Sequence, residues 1–455
     1  MQMRQDRIGI IGLGYVGLIT ASCFAHRGYH VSCMDVDKEK LDSLRRGEMT
    51  MYEPRLEGYF SEGIASNKIE LTGTVHEVVS SSDVIYFTVG TPSGPDDLAD
   101  LNPLKSAVES ASDAIRNQKR YVVFAVKSTV PPGTTDGVVR NLLEESGKVA
   151  GKDFGLCSNP EFLREGSAVE DLMLPDMIII GEFDVRTGDR MESLYRKFHG
   201  DRPPPIIRTT PSNAELIKHA TNAFLATKIS FSNTIANVAS RVPGCDSKVV
   251  LEAIGHDRRI GKEFLRAGLG FGGSCLAKDL RCLISFARRK NYDPTLLNAT
   301  LAANESQPDV AIELTESLVG SLHGKKVAVL GLAFKPGTDD IREAVSIKVI
   351  ERLLKKGASI TATDPMAMQK AKRILGDRID YEESASDCIK AKDCAILVTE
   401  WNQYSSITAE DFRSLMKSPN VVDGRRLYDS AEMIKKVGFV AVGLYNPKLA
   451  EHPER

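Results

Sequence analysis

Residues 7–17 read Arg7-Ile-Gly-Ile-Ile-Gly-Leu-Gly-Tyr-Val-Gly17. The apolar beginning predicts a short strand, the glycines predict a tight turn, and residues 18–27 continue with helical periodicity. A second strand is predicted at residues 29–35. Strand, glycine turn, helix and strand in this order are typical of a doubly wound α/β domain built on a parallel sheet.

The glycines of this turn and an acidic residue after the second strand predict a dinucleotide site. Gly12 makes the tight turn, Gly14 lets the backbone approach a pyrophosphate at the helix N-terminus, and Gly17 permits close packing of helix on strand. Asp35 at the end of the second strand would bind the adenosine ribose hydroxyls and repel a 2′-phosphate, which favours NAD over NADP. A packing turn without a cofactor is the alternative.

Three further segments predict strands of the same parallel sheet: residues 83–89, 121–126 and 177–180. Open α/β sheets bind ligands at the carboxyl ends of their strands, where Thr91 and Thr129 stand in short turn sequences. Their hydroxyls would line the nicotinamide side, unless these segments are only turns. The loop 158–167 carries Glu161 and Glu165, which are either solvated carboxylates or members of a cleft.

A segment without proline or glycine, residues 212–241, predicts a helix of nearly thirty residues that begins with a capping box at Ser212 and Glu215. Few full charges interrupt it, so we expect burial against other helices, as a linker between domains or as a dimer core. Lys218 and Asn222 emerge from one face, one turn apart. They are either an ordinary helix surface or a pair suited to a developing oxyanion.

A glycine-rich stretch, Arg266-Ala-Gly-Leu-Gly-Phe-Gly-Gly-Ser-Cys275, precedes Lys278-Asp279. A helix that starts after Cys275 would direct its N-terminal dipole at the sulfur and favour the thiolate. A glycine turn with a buried structural cysteine is the alternative. Upstream, Arg258 and Arg259 in a loop are candidates for a phosphate or are surface arginines.

From residue 324 the strand and helix pattern restarts without the Gly-x-Gly-x-x-Gly turn, which predicts a second doubly wound sheet that binds something other than NAD. Basic residues at its strand ends fit a nucleotide or sugar phosphate: Lys335, Arg342 and Arg425. Ion pairing with Asp339, Asp340 and Asp423 is the alternative. We expect three domains, at residues 1–205, 206–320 and 321–455.

The composition excludes several function classes. The formal net charge of −2 gives no footprint for nucleic acid or a membrane surface. The first residues lack the apolar core of a signal peptide, and no apolar run reaches transmembrane length, so we expect a soluble, cytoplasmic protein. The eight cysteines show no metal-ligand spacing and indicate reduced thiols with no metal site.

Seven motifs in order give the chain a close resemblance to the nucleotide-sugar 6-dehydrogenases: GLGYVG, STVPPGT, NPEFLREG, the helix of Lys218 and Asn222, FLRAGLGFGGSC with a following KD, FKPGTDDIR and VVDGRR. The resemblance covers essentially the whole chain. It implies two Rossmann-like doubly wound domains joined by a central helical domain with one long helix. It also implies that two or more copies of the chain associate through this helix as a homodimer or higher homo-oligomer. The implied activity is a four-electron oxidation of a sugar C6 alcohol to a carboxylate by two NAD.

The resemblance also implies roles for particular residues. Cys275 would attack the intermediate aldehyde as a thiolate, so that a thiohemiacetal gives up the second hydride and leaves a thioester for hydrolysis. Lys218 and Asn222 would stabilise the oxyanion. Asp279, Thr129 and Glu161 would position water and move protons, with Glu161 as general base.

The implied ligands of NAD are Gly12, Gly14, Val16, Gly17, Asp35, Lys40, Thr91, Thr129, Glu165 and Arg342. The implied ligands of the nucleotide sugar are Glu161, Phe162, Leu163, Arg164, Lys218, Asn222, Phe264, Leu265, Gly272 and Lys335, with Arg259 reaching from a second subunit and Arg425 as a weaker candidate. Three positions depart from the family pattern, Arg55, Ala277 and the pair Ala344-Val345, and none is a proposed catalytic group.

Two positions favour UDP-glucose as the substrate and UDP-glucuronate, a precursor of polysaccharides, as the product. Relatives that oxidise hexosamines usually carry His where Ser274 stands, and Gly166-Ser-Ala is less typical of relatives that act on GDP-mannose. GDP-mannose or a UDP-N-acetylhexosamine stays open as the substrate. A silent nucleotide-sugar sensor or scaffold is the non-enzyme alternative, which the nucleophile Cys275 disfavours.

Overall fold

The computed structural model describes residues 5–450. The chain divides into two compact units, Met1–Thr221 and Asn222–Arg455, and the boundary falls inside one long helix. The three-domain division at residues 205 and 320 stays a prediction.

The first unit is built on an eight-stranded sheet in the order β3-β2-β1-β4-β5-β6-β7-β8. Its strands are β1 (Ile8–Ile11), β2 (Val31–Met34), β3 (Ile69–Leu71), β4 (Val84–Phe87), β5 (Val123–Val126), β6 (Gly155–Ser158), β7 (Ile178–Glu182) and β8 (Ile206–Thr209). In register, Ile8 lies opposite Val31 on one side and Val84 on the other. The strand order therefore reverses between β1 and β4, where doubly wound sheets bind their ligands.

Helices cover both faces of this sheet. They are α1 (Tyr15–His26), α2 (Lys38–Arg45), α3 (Leu56–Ala65), α4 (Val75–Ser81), α5 (Asn102–Ile115), α6 (Arg140–Glu144), α7 (Ala168–Met173) and α8 (Val185–His199), with a π-helical turn at Thr134–Val139. Along β4, Val84 and Tyr86 join one apolar core, while Ile85 and Phe87 join the core on the opposite face. Burial on both faces explains the unbroken apolar sequence of the central strands.

One strand differs from the prediction. The sequence predicted a parallel strand at residues 177–180, and β7 is present there, parallel to β8 but antiparallel to β6. The connection between β6 and β7 contains only the six-residue helix α7. So short a helix does not carry the chain back along the length of the sheet, as a parallel crossover requires.

The predicted long helix is present as α9 (Pro211–Ala239). The predicted capping box is wrong, because the helix begins before Ser212. Thr210 Oγ1 accepts a hydrogen bond from the amide of Asn213 at 3.3 Å, and Pro211 occupies the first turn, where its fixed φ suits a helix start. Glu215 instead accepts bonds from the amides of Gly133 and Thr135, at 2.6 and 2.8 Å.

The second unit contains a six-stranded, fully parallel sheet in the order β11-β10-β9-β12-β13-β14. Its strands are β9 (Lys326–Leu330), β10 (Ser359–Thr363), β11 (Asp380–Tyr381), β12 (Cys394–Leu397), β13 (Asn420–Asp423) and β14 (Gly438–Ala441). Here too the order reverses beside the first strand, between β9 and β12. The two sheets confirm the predicted fold class.

The helices of the second unit include three that precede its sheet, and the glycine-rich stretch lies between the first two of these three. They are α10 (Ser247–Gly255), α11 (Leu276–Arg289), α12 (Thr295–Val319), α13 (Val345–Lys355), α14 (Met368–Leu375), α15 (Ala385–Ile389), α16 (Ala409–Leu415), α17 (Ser430–Ile434) and α18 (Pro447–Ala450), with 3₁₀ turns at Gly376–Arg378 and Asn402–Ser406. No helix in residues 5–450 is long and apolar enough to cross a membrane.

Candidate active site

The glycine turn after β1 has the geometry of a dinucleotide cradle. A Cβ atom on Gly17 would lie 1.9 Å from the carbonyl oxygen of Gly12, so helix α1 packs on the turn as closely as a glycine allows. A Cβ atom on Gly14 would meet nothing within 4 Å. The space beside Gly14 lies at the N-terminus of α1, where a pyrophosphate binds backbone amides.

The end of β2 completes this cradle. Asp35 Oδ2 accepts hydrogen bonds from the amide of Leu13 at 2.7 Å and from Lys40 Nζ at 2.9 Å. The carboxylate is thus fixed to the glycine turn, where a ribose would follow the pyrophosphate. Across the strand reversal, Thr91 Oγ1 donates to the carbonyl of Thr129 at 2.7 Å. The glycine turn, Asp35 and Lys40 therefore have a geometry suited to a dinucleotide. The contacts of the predicted residues with a bound dinucleotide stay predictions.

The loop after β6 brings two predicted catalytic residues together. Lys218 Nζ on α9 lies 3.0 Å from Glu161 Oε1, and both side chains are largely buried. Glu161 Oε2 accepts a hydrogen bond from the amide of Leu163 at 2.5 Å. The ring of Phe162 lies 5.3 Å from Lys218 Nζ. This pairing places an ammonium beside a carboxylate, so that the two can exchange a proton and the ammonium can stabilise an oxyanion.

Arg164 in the same loop is largely exposed and pairs with Asp171 of α7, at 2.6 Å between Nη2 and Oδ1. The loop ends at Gly166, whose φ of +83° lies in the region that favours glycine. The amides of Gly166 and Ala168 donate to Glu53.

The predicted nucleophile lies at a helix start. Cys275 is exposed and immediately precedes α11, which confirms the expected helix. The other cysteines are buried, except for the half-buried Cys245. One turn further along, the buried Asp279 accepts bonds from Asn222 Nδ2 at Oδ2 and from Lys278 Nζ at Oδ1, each 2.6 Å long. The second unit thus holds a thiol, a carboxylate and a carboxamide on two helices.

The glycine-rich stretch is seated against the loop after β9. A Cβ atom on Gly272 would lie 2.5 Å from the carbonyl oxygen of Glu343. The amide of Gly273 donates to the carbonyl of Arg342 at 2.9 Å. From α12, Asn304 accepts from the amide of Phe271 and donates to its carbonyl, at 2.7 and 3.1 Å. A side chain at Gly272 would collide with the Glu343 carbonyl and displace the loop that carries Cys275.

Four of the basic residues predicted for phosphate binding have a contact in the structure. Arg342 is exposed and forks onto Asp340, as the ion-pair alternative predicted. Arg425 forks onto Glu400, with both bonds 2.5 Å long, rather than onto Asp423. Lys335 Nζ lies 5.6 Å from the ring of Phe334. The exposed Arg259 pairs with Asp257, which its sequence spacing of two allows.

Two other predicted substrate residues precede the glycine-rich stretch. Phe264 has a φ of +62°, which is uncommon for a residue with a side chain, and Leu265 is buried. The unusual backbone at Phe264 marks a sharp change of chain direction. Within residues 5–450 no group of three or more His, Cys, Asp or Glu side chains is placed to hold a metal ion.

Sequence reasoning missed Lys127, which the structure places in the buried surroundings of Glu161. Lys127 follows β5, and its Nζ donates to Asn159 Oδ1 at 3.3 Å. Tyr195 donates to the same oxygen. Burial lowers the pKa of Lys127 to about 8, although the Glu161 carboxylate opposes the shift. A lysine directly after an apolar strand, two residues before the predicted site residue Thr129, was the available signal.

Burial also affects Glu215, whose pKa it raises to about 7 against the two amide hydrogen bonds that favour the ionised form. These amides belong to Gly133 and Thr135, just after the Thr129 turn. Helix α9 therefore fixes the turn through Glu215 one turn before it presents Lys218. The sequence had assigned Glu215 only to a helix cap.

Comparison with known proteins places the whole chain within one family. The UDP-glucose/GDP-mannose dehydrogenase family models match as an NAD binding domain over residues 6–199, a central domain over 212–306 and a UDP binding domain over 328–430. Among curated relatives, the UDP-glucose 6-dehydrogenase TuaD of Bacillus subtilis is 37% identical, covering 97% of this chain and 93% of that protein. The UDP-glucose 6-dehydrogenase AglM of Haloferax volcanii is 40% identical, covering 93% and 98%.

Solved structures agree. A UDP-glucose dehydrogenase from Pyrobaculum islandicum superposes with a TM-score of 0.89 at 38% identity, covering 98% of this chain and 99% of that one. A UDP-D-ManNAc dehydrogenase from Pyrococcus horikoshii superposes with a TM-score of 0.83 at 26% identity, covering 96% and 99%.

Substituting each of two glycines by alanine should separate folding from cofactor binding. Gly17→Ala should lower the free energy of unfolding by about 2 kcal/mol or more, because the Cβ overlap with the Gly12 carbonyl outweighs the roughly 1 kcal/mol that alanine gains inside a helix. Gly14→Ala should change it by less than about 0.5 kcal/mol, since its Cβ meets open space, yet weaken NAD binding at least about tenfold. Denaturant unfolding and calorimetric NAD titration measure both; a stable Gly17→Ala protein would contradict the packing argument.

Lys127→Met should alter the pH dependence of stability. The folded pKa of about 8 lies below the usual value near 10.4, so the unfolded chain binds more protons in that window and wild-type stability rises with pH there. Relative to the methionine variant, the wild type should gain on the order of 2–3 kcal/mol between pH 7 and pH 10. Denaturant unfolding at both pH values tests this, with the exposed Lys105→Met as control. Parallel pH curves for all three proteins would show that Lys127 titrates normally.

Proposed function

The chain belongs to the UDP-glucose/GDP-mannose dehydrogenase family, and from that premise we propose that it oxidises UDP-glucose to UDP-glucuronate with two NAD⁺ reduced per sugar. It is an NAD-dependent dehydrogenase. The observation that carries the proposal is the exposed Cys275 at the start of α11, one turn before a buried Asp279 held by Asn222. A protein that only binds nucleotide sugars needs no such thiol.

The glycine turn and Asp35 support NAD⁺ as the cofactor. Gly12, Gly14, Val16 and Gly17 would hold its pyrophosphate, and Asp35 with Lys40 its adenosine ribose. Thr91, Thr129, Glu165 and Arg342 complete the proposed set. When bound, NAD⁺ accepts the hydride released from C6 in each of the two oxidations.

Cys275 makes the second oxidation possible. The first oxidation leaves an aldehyde at C6, and the Cys275 thiolate adds to its carbonyl carbon to form a thiohemiacetal whose oxygen takes a proton. Loss of hydride and of that proton converts the thiohemiacetal into a thioester. Water then adds to the thioester carbonyl, the carbon–sulfur bond breaks, and the carboxylate leaves with the thiolate regenerated. The dipole of α11 favours the thiolate at the start and end of this sequence.

The polar residues of α9 and of the loop after β6 handle charge and protons. Lys218 and Asn222 stabilise the negative oxygen that develops in each step. Glu161, in contact with Lys218, takes the proton of the attacking water as general base. Asp279 keeps Asn222 oriented through their hydrogen bond, and the Thr129 hydroxyl helps to position the water.

The nucleotide sugar is held by the loops that carry these groups and by the second sheet. We assign to it Glu161, Phe162, Leu163, Arg164, Lys218, Asn222, Phe264, Leu265, Gly272 and Lys335. Arg425 is the weaker member of this set, because Glu400 already occupies its fork. Arg259 would act on the site of a second subunit.

UDP-glucose is favoured over two other nucleotide sugars. Ser274, in place of the histidine usual in hexosamine oxidation, and Gly166-Ser-Ala support a neutral glucose. Curated relatives named UDP-glucose 6-dehydrogenase cover nearly the whole chain, whereas the UDP-D-ManNAc dehydrogenase structure is only 26% identical. UDP-glucuronate would feed polysaccharide biosynthesis. The cytoplasm, where thiols stay reduced, suits the Cys275 chemistry.

A homodimer is also proposed, on the evidence of apolar side chains that α9 leaves exposed. Phe224, Phe231 and Val238 follow one another at intervals of seven, with exposed fractions of 65%, 48% and 55%. Side chains seven apart lie on one helix face, and a contiguous apolar face of this kind marks an interface. A second copy of α9 offers the matching surface.

The cysteine mechanism predicts the NADH yield. Wild-type protein should form two NADH per UDP-glucose consumed, and Cys275→Ala should reduce the steady-state rate by about a thousandfold or more, because no thiohemiacetal forms. Absorbance of NADH with product chromatography measures both, and Cys245→Ala is the control that should retain activity. One NADH per sugar would overturn the thioester route. Turnover of GDP-mannose or a UDP-N-acetylhexosamine in place of UDP-glucose would overturn the substrate.

The dimer proposal predicts the effect of a charge in the apolar face. Phe231→Glu should convert the dimer to a monomer at micromolar protein, since burying unpaired carboxylates in the contact costs several kcal/mol. Sedimentation velocity measures the mass. Val185→Glu adds the same charge at another exposed apolar position, on α8, and should leave the mass unchanged. A monomeric wild type, or a dimeric Phe231→Glu protein, would place the interface elsewhere.

A further inference from the structure

Glu53 is a buried carboxylate to which the proposed mechanism gives no role. It lies between α2 and α3, in the segment Tyr52-Glu-Pro-Arg55, and only 5% of it is exposed. Arg55 directly precedes α3 with a φ of +68°, in the region that favours glycine. The chain therefore turns sharply at this point and directs Glu53 into the first unit.

Three donors from two separate segments bind this carboxylate. Oε2 accepts from the hydroxyl of Tyr15 and from the amide of Gly166, the latter at 2.7 Å. Oε1 accepts from the amide of Ala168 at 2.8 Å. Glu53 therefore joins the two segments through three hydrogen bonds.

The two segments are the N-terminus of α1 and the loop that follows β6. Tyr15 is the first residue of α1 and directly follows Gly14, beside which the pyrophosphate would bind. Gly166 ends the loop that carries Glu161 and Glu165. Glu53 is thus the shared acceptor between the helix that receives the cofactor and the loop that presents the proposed base.

We propose that Glu53 is a positioning residue that couples occupation of the Gly12–Gly17 turn to the order of the Glu161–Gly166 loop. A dinucleotide at Gly14 fixes the first turn of α1, and with it the Tyr15 hydroxyl. The hydroxyl fixes Oε2 of Glu53, and the carboxylate holds the amide of Gly166. By linkage, a substrate that orders the loop strengthens cofactor binding by the same factor.

The Tyr15 hydroxyl is suited to this link. Burial and the neighbouring Glu53 carboxylate raise the pKa of Tyr15 well above its usual value. The phenol therefore remains protonated, and a hydrogen-bond donor, at neutral pH. Phenylalanine has the same ring without the donor, so Tyr15→Phe removes the link and leaves the packing of α1 in place.

A second carboxylate provides a matched control. Asp171 of α7 accepts from the amide of Arg164 at 2.7 Å and from the hydroxyl of Ser167 at 3.2 Å. It holds the same loop, but from α7 and not from α1. Asp171→Asn should loosen the loop to a similar degree without touching the connection to the glycine turn.

Hydrogen–deuterium exchange with and without NAD⁺ tests the coupling. The inference rests on the proposed function only in taking NAD⁺ as the cofactor. In the wild type, saturating NAD⁺ should slow exchange of the amides of Gly166 and Ala168 about tenfold. In Tyr15→Phe this effect of NAD⁺ should fall below about threefold. In Asp171→Asn, exchange should be faster in both states, with the ratio between them kept.

Several results would overturn the coupling. They are full NAD⁺-dependent protection in Tyr15→Phe, no protection in the wild type despite bound NAD⁺, or equal loss of the ratio in Tyr15→Phe and Asp171→Asn. Calorimetry on the same samples separates this from a failure of the proposed function. Wild-type protein that does not bind NAD⁺ at all would refute the cofactor and, with it, the coupling; NAD⁺ binding without UDP-glucose turnover would refute only the substrate.

Discussion

Buried carboxylates that accept backbone amides hold the loops of this protein in place. A loop at the end of a parallel strand leaves amide groups without sheet partners, and an unpaired buried amide costs about 1–3 kcal/mol. Asp35, Glu53 and Glu215 satisfy such amides in the first unit, and Asp364 and Asp423 do so in the second. Most of these carboxylates bind backbone that is remote in sequence, and Asp423 closes a local turn. Both arrangements attach the loops to the sheets and limit the motion of the loops.

The same device explains why two similar sheets serve different ligands. Asp35 and Asp364 occupy equivalent positions after the second strand of their sheets. Asp364 accepts from the amides of Leu332 and Ala333, and its Oδ2 also accepts from the indole of Trp401 at 3.0 Å. Asp364 is thus surrounded by donors from its own turn and from an aromatic side chain. Asp35 Oδ2 instead accepts from the amide of Leu13 and from the amine of Lys40, and its Oδ1 accepts from the amide of Asp37. Only the first sheet keeps a carboxylate suited to ribose hydroxyls, in accord with the expectation that the second binds something other than NAD.

The sequence predicted what local periodicity and short motifs encode. The strands, the length of α9, the helix after Cys275 and the two doubly wound sheets all follow from spacing within about thirty residues. The direction of β7 and the cap of α9 were predicted wrongly, because pairing geometry and the competing role of Glu215 depend on distant segments. Glu53 and Lys127 were missed for the same reason. Their partners are brought to them by the fold. Glu53 belongs to no recognised motif, and the position of Lys127 after an apolar strand does not by itself show that Glu161 lies nearby.

The charges around Glu161 bear on its proposed role as a base. Lys218 Nζ lies 3.0 Å from Glu161 Oε1, so the carboxylate proposed to take the proton of water starts in an ion pair. Lys127 adds a second, buried cation whose interaction with Glu161 is attractive and with Lys218 repulsive. Two cations around one carboxylate leave a net positive charge, which would favour each negative oxygen of the proposed sequence over the neutral C6 hydroxyl or carbonyl from which it forms. In the proposed sequence, a developing oxyanion stabilised by Lys218 would weaken the ion pair of Lys218 with Glu161. The carboxylate would then be released from the ion pair at the moment when water must lose its proton.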